Sequence, residues 1–413
     1  MKLKDIFVLI ALMIVGEVVF ILPFVIVRIF RPTFLTVFNL TNLELGTAFS
    51  AYGFVAMLSY FLGGPIADRF SSKKLIPFAL VITSLGGLWL YTIPSALSLT
   101  ILYGFWGAST ILLFWSSFVK AQRHLGLHTG QGKAFGLVDA GRGTLAAIMA
   151  ISSVFLLEFF LGENADNAPL EDMNTAMQNI ILTFAAITLI CALVAYFFIE
   201  DDQAGNLFPH ISLKGVKRVM QKPAIWMHSV IVMCAYVGYK CTDDFSLYAS
   251  DTLNYNDIES AKLAAITFWA RPLAAIFSGI IADRWLTSKT ISVCFVIMIG
   301  GSLLISSGYL VNTSVFVLIT LTITSVAIYG IRGIYYALFE ETDVSLSITG
   351  SAAGLVSVVG YTPDVFMGPV MGVILDNNPG PLGHQYLFLL LAGFSCLGLI
   401  MAMSFSRFGT PNS

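Results

Sequence analysis

The sequence predicts an all-α integral membrane protein of twelve transmembrane helices in two pseudo-symmetric six-helix bundles. Three observations predict this class. Of 413 residues, 57% are apolar and only 11% charged, whereas soluble domains carry about a quarter charged residues. Apolar runs long enough to cross ~30 Å of hydrocarbon at ~1.5 Å per residue recur along the chain. A polar motif at residue 64 returns 215 residues later, marking an internal repeat. With 22 basic against 24 acidic residues, there is no basic excess to suit a nucleic-acid partner. The 35 glycines and 33 phenylalanines suit helices that approach closely within lipid.

The first run, 6–38, follows Met-Lys-Leu-Lys. It is too long for one straight helix, so it tilts, bends at Pro23 or begins on the surface. Its length, Glu17 and the lack of an Ala-x-Ala site separate it from a signal peptide. Runs at 46–67, 75–93, 96–119, 134–160 and 175–199 complete the first half, each bounded by charged, Gly, Pro or Asn clusters. The polar stretch Glu200–Lys222 reads as a linker, which gives domains 1–199, 200–222 and 223–413. The second half follows at 223–249, 260–281, 290–311, 314–339, 348–375 and 385–406.

Lys and Arg set the expected orientation. With the amino terminus inside, fifteen bases from Lys2 to Arg407 face the cytoplasm, and only Lys262 and Arg31 lie opposite. Both termini are therefore expected in the cytoplasm, in a bacterial inner (plasma) membrane. All five cysteines fall within spans and read as buried thiols.

The repeated motif is Gly64-Pro65-Ile66-Ala67-Asp68-Arg69, and again Gly279-Ile280-Ile281-Ala282-Asp283-Arg284. Each copy closes the second helix of its half and enters a basic loop. This pattern resembles the signature loop of the major facilitator superfamily, and the resemblance covers the whole chain. It implies a secondary transporter whose two bundles rock about a central site. Ser71-Ser72 and Leu286-Thr287 replace that family's second Gly and following Arg. Asp68, Arg69, Asp283 and Arg284 are expected to latch the cytoplasmic side.

Five bases remain inside the spans: Arg28, Arg142, Lys240, Arg271 and Arg332. Each costs at least ~2.5–3.5 kcal/mol at a helix centre, so each should face protein or water. Arg28 and Lys240 lie on the first and seventh helices, 40 and 43 residues before Asp68 and Asp283. Contributed by both halves, they would clamp a small organic anion. Val-x-Arg28, Tyr239-Lys240-x-x-Asp243, Thr349-Gly350-Ser351-Ala352-Ala353-Gly354 and Gly360-Tyr361 resemble the organophosphate:phosphate antiporter branch, which implies a phosphorylated solute. The competing reading pairs Lys240 with Asp244 at i+4. Arg271, Tyr239 and Tyr361 join the expected solute site, with Asp364 as a further candidate.

Glu17 has no base within a turn, so it suggests a proton-coupling carboxyl, or one paired to Arg142 or Arg332. With Asp243 and Asp244 it forms the alternative, a proton-coupled symporter of a neutral or acidic metabolite. Asp139–Arg142, Arg332 and Glu340-Glu341 are assigned to gating, the glutamates facing Lys120 or Arg123. Gly130-Gln131-Gly132-Lys133 misses the phosphate-loop spacing, and His124 with His128 has no third metal ligand. No catalytic constellation is present, so no enzyme is expected. The expected partners are a solute, protons or a counter-solute, and the lipid bilayer. The chain is expected to act as a monomer, without cofactor or metal.

Overall fold

The computed structural model describes residues 2–162, 168–201, 220–282, 285–310, 313–341 and 349–408. Among them, eleven helices are long and apolar enough to cross a membrane. The first half contributes Leu3–Ile29, Asn42–Arg69, Ser72–Tyr91, Ala96–Leu127, Ala134–Leu161 and Leu170–Phe198. The second contributes Pro223–Leu253, Thr287–Ser306, Ser314–Phe339, Ala352–Asn377 and Pro381–Ser406. The expected eighth span is present as two shorter helices, Asp257–Thr267 and Ala270–Ala282. The chain tightens between them, with Phe268 and Trp269 donating to Ala265 and Ile266. Pro272 has no N–H to offer the Phe268 carbonyl, which explains the break.

The first run resolves its excess length at two points. A wide turn at Ile21–Val25 surrounds Pro23, whose carbonyl accepts from the Tyr103 hydroxyl at 2.8 Å. The helix then ends at Ile29, and a short helix, Arg31–Val37, follows. The fourth helix carries a second wide turn at Ala108–Trp115. Such turns leave local backbone groups free for other bonds.

The residues group into two compact units, Met1–Phe208 with Tyr255–Trp269, and Pro209–Asn254 with Ala270–Ser413. In the first unit the first helix packs on the fifth and sixth, the second on the fourth, and the third on the sixth. In the second unit the seventh packs on the eleventh and twelfth, the eighth on the tenth, and the ninth on the twelfth. Each pairing recurs six helices later. The repeat also reaches the helix starts. Thr41 with Glu44 caps the second helix and Asn256 with Glu259 the eighth by the same reciprocal bonds, again displaced by 215 residues.

Close approach depends on missing side chains. A Cβ at Gly107 would sit 2.7 Å from the Tyr52 carbonyl oxygen, between the fourth and second helices. One at Gly238 would meet the Met298 methyl at 2.6 Å. Small residues give backbones this access where lipid supplies no hydrophobic drive between helices. Residues 255–269 are tied within the first unit by a Thr33–Asp257 hydrogen bond and a Lys262–Glu158 ion pair of 2.6 Å.

Candidate functional site

The seventh helix carries a dense polar group in the second unit, where its winding changes. The α-helix ends at Cys241, and Thr242–Asp244 form one tighter turn before Phe245–Leu253 resumes. At three residues per turn, Asp243 falls beneath Lys240 and Asp244 is carried round to another face. Lys240 Nζ lies 3.1 Å from Asp243 and 3.6 Å from Asp364 of the eleventh helix. The competing reading, Lys240 with Asp244, is therefore corrected: Asp244 pairs with His384 of the twelfth helix at 2.7 Å. Tyr236 donates to the second oxygen of Asp364 at 2.9 Å.

Arg332 of the tenth helix sits over the Tyr239 ring at 3.7 Å and near that of Tyr236 at 5.4 Å, geometry that favours a desolvated guanidinium. It is within electrostatic reach of Asp364. Lys240 and Arg332 thus balance Asp243 and Asp364 in charge. Tyr361 packs on Tyr236 with ring centres 4.9 Å apart. Its hydroxyl meets those of Tyr335 at 3.0 Å and Tyr336 at 2.9 Å, and Tyr336 reaches Ser357 at 2.8 Å. Tyr329 stands beside Tyr239 and packs with Ala270 and Ala274. Arg271, which follows Ala270, is half-buried. Sequence reasoning missed Tyr236, Tyr335 and Ser357; Tyr236 stands one turn before Lys240, a spacing that could have found it. Arg332, expected at the gate, lies among these rings.

The first unit holds a separate polar group. Glu17 is not isolated: Arg142 Nε lies 3.5 Å from its carboxylate and also donates to the Gly16 carbonyl at 3.0 Å. Asp139 joins at 3.6 Å, and the guanidinium lies 5.6 Å from the rings of Trp115 and Phe118. Arg28 is buried beside the Phe268 ring at 5.7 Å. At the 215-residue displacement of the caps and loops, Arg28 corresponds to Asp243. Equivalent positions of the two repeats therefore hold opposite charges, and Lys240 stands one turn before its supposed counterpart.

At the first signature loop Asp68 is half-buried and Arg69 exposed. Lys120, 2% exposed, donates to the carbonyls of Ala67 at 2.9 Å and Phe70 at 3.2 Å. An ammonium at the last carbonyls closes that helix end. Glu341 accepts from the Ser288 amide at 3.1 Å, at the start of the ninth helix. Asp283 and Arg284, and the side chain of Glu340, lie outside the described residues. No group of His, Cys, Asp and Glu able to hold a metal occurs among the described residues.

Paired six-helix repeats with charged and aromatic groups inside the spans define the class: an integral membrane protein of the solute-transporter architecture. The chain belongs to the Major Facilitator Superfamily, whose sequence profile matches residues 8–361. It is 25% identical over 381 residues to "Inner membrane protein YqcE" of Escherichia coli K12, covering 89% of this chain and 86% of that one. It is 23% identical over 384 residues to "Inner membrane protein YihN" of the same organism, covering 89% and 87%. Among solved structures, it resembles an inward-facing bacterial homolog of the human lysosomal transporter Spinster, with TM-score 0.72, 15% identity and both chains covered fully. The nucleoside transporter NupG matches with TM-score 0.71 and 15% identity over 97% of this chain and 99% of its own. The E. coli fucose:proton symporter FucP matches with TM-score 0.62 and 16% identity over 98% of each chain.

Proposed function

We propose that this protein is a secondary transporter of a small, uncharged, hydroxyl-bearing organic solute, which it moves by alternating access across a bacterial inner membrane. The observation that carries this reading is the charge balance around Lys240. Its ammonium is already matched by Asp243 and Asp364, so an added anion would have to displace a carboxylate from a buried pair. The tyrosine rings offer flat apolar faces, and the linked hydroxyls of Tyr335, Tyr336 and Tyr361 offer donors and acceptors. Rings and hydroxyls together suit a sugar or nucleoside. NupG and FucP are named for solutes of that kind, and the names of YqcE and YihN support the membrane. The Lys and Arg distribution supports cytoplasmic termini.

In this reading Lys240, Arg332, Tyr239 and Tyr361 bind the solute, with Arg271 beside them. Asp68 with Arg69 and Asp139 with Arg142 serve the gate. The test is a thermal-stabilisation screen of the purified protein with monosaccharides, nucleosides, sugar phosphates and carboxylates side by side. Neutral compounds are expected to raise the melting temperature, and Tyr361→Phe to weaken the best of them by about tenfold, the value of one well-made bond of ~1.4 kcal/mol. Stabilisation by sugar phosphates alone, lost in Lys240→Ala, would return the site to the anion clamp suggested by the antiporter resemblance.

A further inference from the structure

Asp244 and Asp251 lie two helical turns apart on the seventh helix, and His384 of the twelfth helix bridges them. Its Nδ1 is 2.7 Å from Asp244 Oδ2 and its Nε2 is 3.1 Å from Asp251 Oδ2. The ring and Asp244 are both fully buried, whereas 35% of the Asp251 side chain is exposed. The Tyr248 ring stands edge-on to the imidazole at 5.4 Å and Phe388 packs on Tyr248 at 5.8 Å, closing the sides. The other oxygen of Asp244 is buried and accepts no hydrogen bond among the described residues. Asp243 and Lys240 follow on the same segment, the latter one turn away. The cluster thus runs from an exposed carboxyl, through an imidazole, to a buried carboxyl next to the candidate solute site.

Proton counting makes this arrangement unusual. An ionised carboxylate only accepts hydrogen bonds, and a neutral imidazole has one N–H. Two bonds from one ring to two carboxyl groups therefore require one proton beyond a neutral imidazole and two carboxylates. That proton has three places. On Asp251, it is donated to Nε2 while Nδ1–H is donated to Asp244. On the ring, both nitrogens donate. On Asp244, it is donated to Nδ1 while Nε2–H is donated to Asp251. Every state keeps both hydrogen bonds, the same heavy-atom positions and a net charge of −1. Passing a proton along the row needs no rearrangement of the helices.

We propose that Asp251, His384 and Asp244 form a proton relay that carries a proton from the membrane surface at the end of the seventh helix to the buried carboxyl of Asp244, the residue that follows Asp243 of the candidate solute site. The seventh helix supplies Asp244 and Asp251, with Tyr248 between them and Cys241 near Asp244. The ninth helix carries Lys289 in its first turn, and the eleventh carries Asp364 and Asp376; none bonds to the ring, both of whose nitrogens are taken. What the proton drives rests on the transport reading above; the relay itself does not.

Infrared difference spectra of the purified, solute-free protein between low and high temperature at one pH read the relay without any solute, because the three states hold the same number of protons and only their populations shift. A carboxylic-acid band that trades intensity with an imidazolium band is expected. It should be lost in Asp251→Asn and His384→Gln, with folding checked by thermal unfolding. An imidazolium fixed between two ionised carboxylates at every temperature, or an unchanged trade in Asp251→Asn, overturns the relay and leaves the transport reading standing. In liposomes, uptake of a compound selected by the stabilisation screen should fall about tenfold or more in Asp251→Asn when driven by a pH gradient. Exchange of labelled for unlabelled compound should stay within about twofold in the same liposomes. Equal loss of both would assign the cluster a structural role and overturn its part in coupling.

Discussion

Replacing Lys240 by Met tests whether the charges of the seventh helix are dry and mutually dependent. Lys240 is 2% exposed, with Asp243 at 3.1 Å and Asp364 at 3.6 Å. Met matches the stem in volume and removes only the charge, so the packing loss is small. The cluster of Lys240, Arg332, Asp243 and Asp364 then changes from balanced to one negative charge in excess. Removing one partner of a buried pair costs about 3–5 kcal/mol, because the other is left uncompensated. Adding Asp243→Asn restores the balance, so the double variant is expected to recover most of that loss. Reversible unfolding in mild detergent, run as a double-mutant cycle, gives the coupling energy directly. An exposed pair would show less than about 1 kcal/mol. A cost that small for Lys240→Met, with simple additivity in the double variant, would refute the buried cluster and the neutral-solute argument drawn from it.

Other consequences are as specific. Gly107→Val places atoms against the Tyr52 carbonyl, and overpacking of this kind costs about 1–3 kcal/mol; a lowered melting temperature checks it. Lys120→Met removes the donor to Ala67 and Phe70. Hydrogen exchange around residues 67–74 should accelerate about tenfold or more, from bonds worth ~1.5–3 kcal/mol each when charged. At the end of the sixth helix, partial burial would raise the Glu200 carboxyl, but Lys4 at 3.0 Å and His124 at 3.3 Å outweigh it and hold its pKa below the usual 4.5. A depressed acid contributes stability above its unfolded pKa and loses it as pH falls through the folded value. The melting-temperature advantage over Glu200→Gln should therefore be present near pH 5 and shrink progressively below 4.5.

Much of the architecture was legible along the chain. The runs of apolar residues located the spans, and Pro23 was one of three answers to the excess length of the first run. The displacement of 215 residues tied the end of the second helix to that of the eighth, the matching caps at their starts emerging only in the structure. These are local properties: hydropathy, a missing N–H and a capping side chain act within a few residues. The eighth span was located as one run, yet it is broken, because the tightening at Phe268 and Trp269 adds to the effect of Pro272. Arg142 was named as a partner for Glu17, but the choice between it and Arg332 required the fifth helix to be packed on the first.

What the sequence by itself determined is the membrane class, the repeat and the roster of charges inside the spans, since each follows from composition and spacing. Tertiary structure alone decided which charges belong together. One tightened turn sent Asp243 to Lys240 and Asp244 to His384, and helix packing brought Asp364 and the tyrosine hydroxyls alongside. His384 stands 140 residues from Asp244, with nothing in its neighbours to mark it. The physical reason is range. Desolvation forces every buried charge to find a partner, but only the packed helices determine which partner is within 3 Å or so.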